Sequence, residues 1–292
     1  VKHYIPLLIS ILSISILYLI VKNIRKENTS DSVSNVLSFI FLLSIFILIY
    51  NQLYSVWQVS SELINGISKI SQVVTPIMLT LMVASNANAS VSLYKPSTIF
   101  FCETIIQFFS SIILPLIGLM SLLSIISIIF KVVDLSKFSE FISGTIKWLI
   151  GIILTVYGIF MTVQGVVGAT YDGITYKIAK YTLSNSIPLI GSLLKDGFDI
   201  VVAGSIIIKN SIGITTVFMV ISKILSPVIN IAILSLVLKL TASFCTAIGD
   251  NETSKICINS SKGITYMSIS ILVVGLMFFI TFLMMIFSAN VI

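Results

Sequence analysis

Seven polar side chains interrupt otherwise apolar stretches of this sequence: Glu103, Gln107, Gln164, Lys195, Asp196, Asp199 and Lys223. A charge at the centre of a bilayer costs about 2.5–3.5 kcal/mol on insertion scales. Such groups persist where they pair, line a wet cavity or serve a transported species. Lys195 and Asp199 stand four apart and can pair on one helical face. Lys223 lies among Phe218, Met219, Val220 and Ile224 and needs an acidic partner, which Asp196, Asp199 or Glu103 would supply. Glu103 and Gln107 share a turn, although a carboxylate at a helix start is favoured by the dipole without any further role. The set reads as a polar or transport site, with structural pairing as the alternative.

Other chemistries are poorly provided for. No G-x-S-x-G, H-E-x-x-H or G-x-x-x-x-G-K-[ST] pattern occurs, so no catalytic residues are assigned and no enzyme is expected. Cys102, Cys245 and Cys257 show no C-x-x-C spacing, and His3 is the single histidine. That is too little for a zinc site or a disulfide framework, so neither metal nor cofactor is expected. The net charge of +6 comes from basic residues spread singly. It reads as topology signal and anionic-lipid contact, not as a nucleic-acid patch.

The elements that must position these residues follow from composition. Of 292 residues, 57% are hydrophobic and 10% charged, against about 25% charged in an average globular chain. Mean hydropathy is +1.12. This excludes a soluble enzyme and a disordered chain and implies an integral membrane protein. The apolar runs are continuous, without the alternation of a barrel strand, so the expected fold is all-α and polytopic. Segments 4–21, 34–50, 99–130, 148–168, 212–238 and 264–288 are long enough to span. Pro115 and Pro227 fall inside two of them and predict kinked helices. Segments 73–94 and 186–208, which open near Pro76 and Pro188, are expected to be re-entrant or discontinuous. The expectation is therefore six to eight crossings. Either count leaves nine basic residues inside and six outside, with the C-terminus outside the cytoplasm. The chain begins at Val1 rather than Met, which implies sequence upstream.

Pro76 and Pro188 are 112 residues apart, as are Pro115 and Pro227. SIILP (111–115) is similar to KILSP (223–227), and GISK (66–69) to GITYK (173–177). An internal duplication is expected: an N-terminal two-helix segment over 1–59, then repeats over 60–169 and 170–292. Stretches 51–70 and 131–147 are amphipathic and are expected at the membrane interface. Gly144, Gly151, Gly158 and Gly165 are seven apart and share one helix face. Glycine weakens a helix, so the row predicts close packing against another helix, within the subunit or from another one.

The stretch 163–213 carries Gln164-Gly165, Asp172-Gly173-Ile174-Thr175, Ala179-Lys180, Ile187-Pro188, Gly191, Asp199 and Lys209-Asn210. With TPIMLTLMVAS (75–85) and QFFSSIILPLIGLMSLLSIIS (107–127), it resembles the stage III sporulation protein AE family of endospore-forming Firmicutes. The resemblance covers most of the chain after about residue 34. Family members carry a proline and a glycine run after the second kinked helix, where TAIGDNETSK (246–255) keeps Ile248-Gly249.

The resemblance implies a multi-pass protein of the mother-cell membrane around the forespore, in a channel or feeding-tube complex joining the two cells. It implies other stage III A-operon proteins as partners, with stage II sporulation protein Q completing the link. The implied role is permease-like or structural. A stand-alone secondary transporter or permease for a small solute is the alternative.

Overall fold

The computed structural model describes the backbone of residues 4–25, 31–88, 90–92, 94, 103–130, 135–186 and 191–288. Among these residues the chain is helical, with no strand. The helices are α1 (Ile5–Arg25), α2 (Asp31–Ala84), α3 (Leu114–Ile129), α4 (Ser136–Ser186), α5 (Gly191–Ala247) and α6 (Asn251–Phe287). Backbone polar groups have no partner in lipid except one another, and a helix satisfies them within one segment. That requirement overrides the modest helix propensity of so many isoleucines and valines.

Among the described residues, six stretches are long and apolar enough to cross a membrane: 5–22, 36–84, 103–129, 136–164, 198–247 and 251–287. The all-α, polytopic expectation is met. Some helices far exceed a span. With 57 residues, α5 is about 85 Å long at 1.5 Å per residue, against a hydrocarbon core of about 30 Å. Of the segments expected to be re-entrant or discontinuous, 73–94 is interrupted at the Asn86 turn, and residues 187–190 of the other lie outside the described residues. Residues 73–84 finish α2, and 191–208 begin α5. The amphipathic stretch 51–70 likewise continues α2, and the described part of 131–147 opens α4.

The prolines are accommodated in different ways. Pro76 and Pro227 lie inside α2 and α5. Pro115, in the first turn of α3, follows a π-helical turn at Phe109–Ile113. That wider turn relieves the crowding of the proline ring against the turn before it. Pro188 lies outside the described residues.

Two helix ends share one device. After α5, Gly249 takes φ +94°, its amide bonds the Thr246 carbonyl at 3.0 Å, and the Asp250 amide bonds that of Cys245 at 2.9 Å. After α2, Asn86 takes φ +63°, with its amide on Val83 and the Ala87 amide on Met82, both at 2.9 Å. Both are Schellman motifs, in which a left-handed residue lets the last carbonyls find donors.

The chain divides into two compact units built from alternating segments. Unit 1 comprises 1–62, 110–149 and 225–272; unit 2 comprises 63–109, 150–224 and 273–292. From residue 63 the chain therefore alternates through unit 2, unit 1, unit 2, unit 1 and unit 2, the long middle visit 150–224 spanning the boundary between the two expected repeats.

Within unit 1, hydroxyls join helices. Ser235 of α5 bonds Ser261 and Thr265 of α6, Ser143 of α4 meets Tyr266 of α6, and Ser139 of α4 donates to the Met120 carbonyl of α3. Within unit 2, Tyr157 of α4 bonds the Met277 carbonyl and Thr281 hydroxyl of α6. Across its apolar window α6 is 56% buried, against 17% for α1, which makes α6 the core helix.

Candidate functional site

The polar residues that the fold buries most deeply in unit 2 are set by four helical segments. Asp172 lies on α4 eight residues beyond Gln164, where the apolar window ends, and is 3% exposed. Its Oδ1 accepts a hydrogen bond from the Ser90 amide at 3.2 Å. Ser90 belongs to the helical residues that follow the Asn86 turn, so the carboxylate answers an amide that its own helix leaves unpaired. Tyr94, one turn on, is 1% exposed. Burial, reinforced by the Asp172 charge, pushes its phenol up to about 12.

Lys209 of α5 is fully buried. Its ammonium donates to the Ser288 carbonyl, just past the end of α6, where carbonyls lack helical partners and a cation is favoured. Asp172 also attracts this ammonium electrostatically. One acid and one base are thus held in a low-dielectric interior, each satisfying a helix end. Each makes its hydrogen bond to backbone, Asp172 to the Ser90 amide and Lys209 to the Ser288 carbonyl.

The expected polar set is distributed differently. Gln164 is buried on α4, two turns before Asp172, whereas Glu103 and Gln107 are exposed. Asp199 is half-buried and has an interaction partner. The side chains of Lys195 and Asp196 lie outside the described residues. Lys223 is exposed, and no hydrogen bond or ion pair to it occurs among the described residues. Of the family-motif residues, the structure brings Asp172 and Lys209 together. Asn210 is half-buried beside Lys209, and the side chains of Gly173 and Lys180 fall outside the described residues.

The glycine row needs a correction. Gly144, Gly151 and Gly158 are exposed, and a Cβ built on any of them would meet nothing within 4 Å. Among the described residues no helix packs on them, so no intrasubunit seam is seen there; Gly165 lies outside the described side chains. Thr155 and Thr162 on the same helix turn their hydroxyls back to the carbonyls of Gly151 and Gly158, both at 2.8 Å. Close packing falls on other glycines. A Cβ on Gly213 would stand 2.5 Å from Ile286, one on Gly275 2.9 Å from Ile224, and one on Gly263 would overlap Ser121.

The sequence reading also missed a cluster in unit 1. Asp250, 2% exposed, caps α6 by accepting from the Thr253 amide at 3.1 Å, and takes the Ser15 hydroxyl of α1 at 2.6 Å. Tyr18 of α1 reaches Ser38 and Glu252, each at 3.3 Å. The signal was legible in Gly249-Asp250, since glycine commonly stops a helix and aspartate starts one.

Fold and site together define the class: an all-helical, multi-pass membrane protein with an acid–base cluster buried inside its bundle. The stage III sporulation protein AE family matches residues 1–289, and the chain belongs to that family. Stage III sporulation protein AE of Bacillus subtilis (strain 168) is 26% identical over 284 residues, covering 97% of this chain and 71% of that protein. No solved structure matches the chain.

Proposed function

We propose that this sporulation-family protein is a membrane-embedded subunit of the channel complex that links mother cell and forespore. In this reading it sits in the mother-cell membrane and associates with other stage III A-operon proteins and, through them, with stage II sporulation protein Q. The observation that carries the reading is the open glycine face of α4. Gly144, Gly151 and Gly158 weaken the helix and gain no packing among the described residues. Small residues on a lipid-level face let a second helix approach closely, and a partner subunit supplies one. The internal duplication is part of the same proposal. It is supported by the alternation of the units, which gives unit 2, unit 1 and unit 2 over 63–169 and over 170–292, the visit 150–224 being shared between the two.

Detergent extraction from sporulating cells tests this. A tagged chain is expected to bring down operon partners in fixed stoichiometry, and to lose them when Gly151 and Gly158 become leucine. Purification of the wild-type chain alone, with solute uptake by liposomes containing nothing else, would instead establish the solute-permease alternative. The buried Asp172 and Lys209 are the observation that favours that second reading.

A further inference from the structure

Ser90 is fully buried, and its Oγ has no hydrogen-bond partner among the described residues. Yet the amide of the same residue bonds Asp172 Oδ1 at 3.2 Å, which sets the hydroxyl beside a carboxylate that it does not bond directly. Two more buried polar atoms of unit 2 lack a partner among the described residues: Asn86 Nδ2, four residues before Ser90, and Asn210 Oδ1, next to Lys209. Each such group left dry costs about 1–3 kcal/mol. The cluster also holds an ammonium and a carboxylate, whose burial is tolerated only when their remaining donors and acceptors are satisfied.

We propose that Ser90, Asp172 and Lys209 line an internal water-binding site in unit 2. A buried water needs two to four polar partners. The Ser90 hydroxyl supplies a donor and the Asp172 carboxylate an acceptor side by side, and the Lys209 ammonium has further hydrogens beyond the one given to Ser288. Water there completes Ser90 and solvates the carboxylate and the ammonium inside an apolar bundle. A dry, purely structural latch would satisfy Asp172 and Lys209 but leave the Ser90 hydroxyl stranded. The location agrees with access, because Asp172 lies beyond the apolar window of α4 that ends at Gln164.

The proposal concerns the interior of this chain and holds whether or not the chain is a channel subunit. Its test is therefore read without reference to sporulation. Cys102, Cys245 and Cys257 are replaced by alanine in the chain, and single cysteines are placed by Ser90→Cys, Asp172→Cys and Met78→Cys. Met78 is fully buried in unit 2 and serves as the dry reference. Membranes are treated with a small, charged methanethiosulfonate, which reacts with a hydrated thiolate. Ser90→Cys is expected to label about tenfold faster than Met78→Cys, or more, because the thiolate forms only where water reaches it. Labelling no faster than the reference in a membrane-inserted chain overturns the site. If Ser90→Cys fails to accumulate, Asp172→Cys, at a position as buried as the reference, decides by the same comparison: faster labelling supports the site, and labelling at the reference rate overturns it.

Discussion

The ammonium of Lys209, fully buried on α5, donates a hydrogen bond to the backbone carbonyl of Ser288 just beyond α6. The bond joins two segments that lie 79 residues apart in sequence. It closes the C-terminal end of the core helix with a charge of the favoured sign.

Removing that charge should be expensive. Lys209→Met is expected to destabilise the detergent-solubilised protein by about 1.5–3 kcal/mol, because it removes the charged donor from the Ser288 carbonyl. Asp172→Asn should act similarly, and the double variant should lose less than the sum. Thermal melts of the three variants check this. Strict additivity would show that the two residues do not interact.

The Tyr94 phenol gives a sign-definite pH effect. Its folded value of about 12 lies above the ordinary 10. Between those values the unfolded chain has lost the proton and the folded chain keeps it. Stability therefore falls as pH rises from about 10 to about 12, by about 2–3 kcal/mol in total at 1.36 kcal/mol per unit. Tyr94→Phe should remove this contribution. Denaturation curves at pH 9 and 11.5, compared between the two proteins, isolate it from the titration of other groups.

Asp250→Ala should detach α1 as well as uncap α6. Loss of an N-cap costs about 0.5–2 kcal/mol and loss of a hydrogen bond to a charged acceptor about 1.5–3. Asp250→Asn keeps an acceptor and should lose less. Limited proteolysis near α1, together with the melting midpoint, reads both effects.

Glycines should divide by what surrounds them. Gly263→Ala forces the new methyl into Ser121 and should cost about 1–3 kcal/mol. Gly151→Leu and Gly158→Leu meet open space within the chain and should leave its melting midpoint unchanged or slightly raised. A midpoint for Gly263→Ala equal to wild type would show that the neighbouring helices yield without cost.

Much of this architecture was legible, because hydropathy reports the solvent of a segment directly. Ile112 to Phe130 is so continuously apolar that no soluble arrangement accommodates it. What hydropathy does not report is the partner. Asp172 meets the Ser90 amide across 82 residues, and nothing local in the sequence marks either as belonging to the other. Lys223, conspicuous because its neighbours are apolar, is exposed, whereas Lys209 is fully buried. The glycine row shows the same gap. A spacing of seven residues places Gly144, Gly151 and Gly158 on one face but says nothing about which chain covers it. The continuity of α2 through Pro76 was missed because a proline resembles a break, whereas the small polar run after it is one. The actual stop comes at Asn86, which takes the left-handed conformation that ends the helix.

The interleaving of the two units has a consequence for biosynthesis. Each unit draws residues from α6, the last of the described helices to leave the ribosome: 251–272 for unit 1 and 273–287 for unit 2. Neither unit can be completed while the nascent chain is still short of that helix. Helices inserted earlier wait in the bilayer with their α6-facing sides uncovered, and Lys209 waits without its Ser288 acceptor. A chain cut short before α6 therefore leaves two unfinished units instead of one finished domain. Quality-control proteases of the membrane should recognise such a product as a whole, and no stable N-terminal fragment should accumulate.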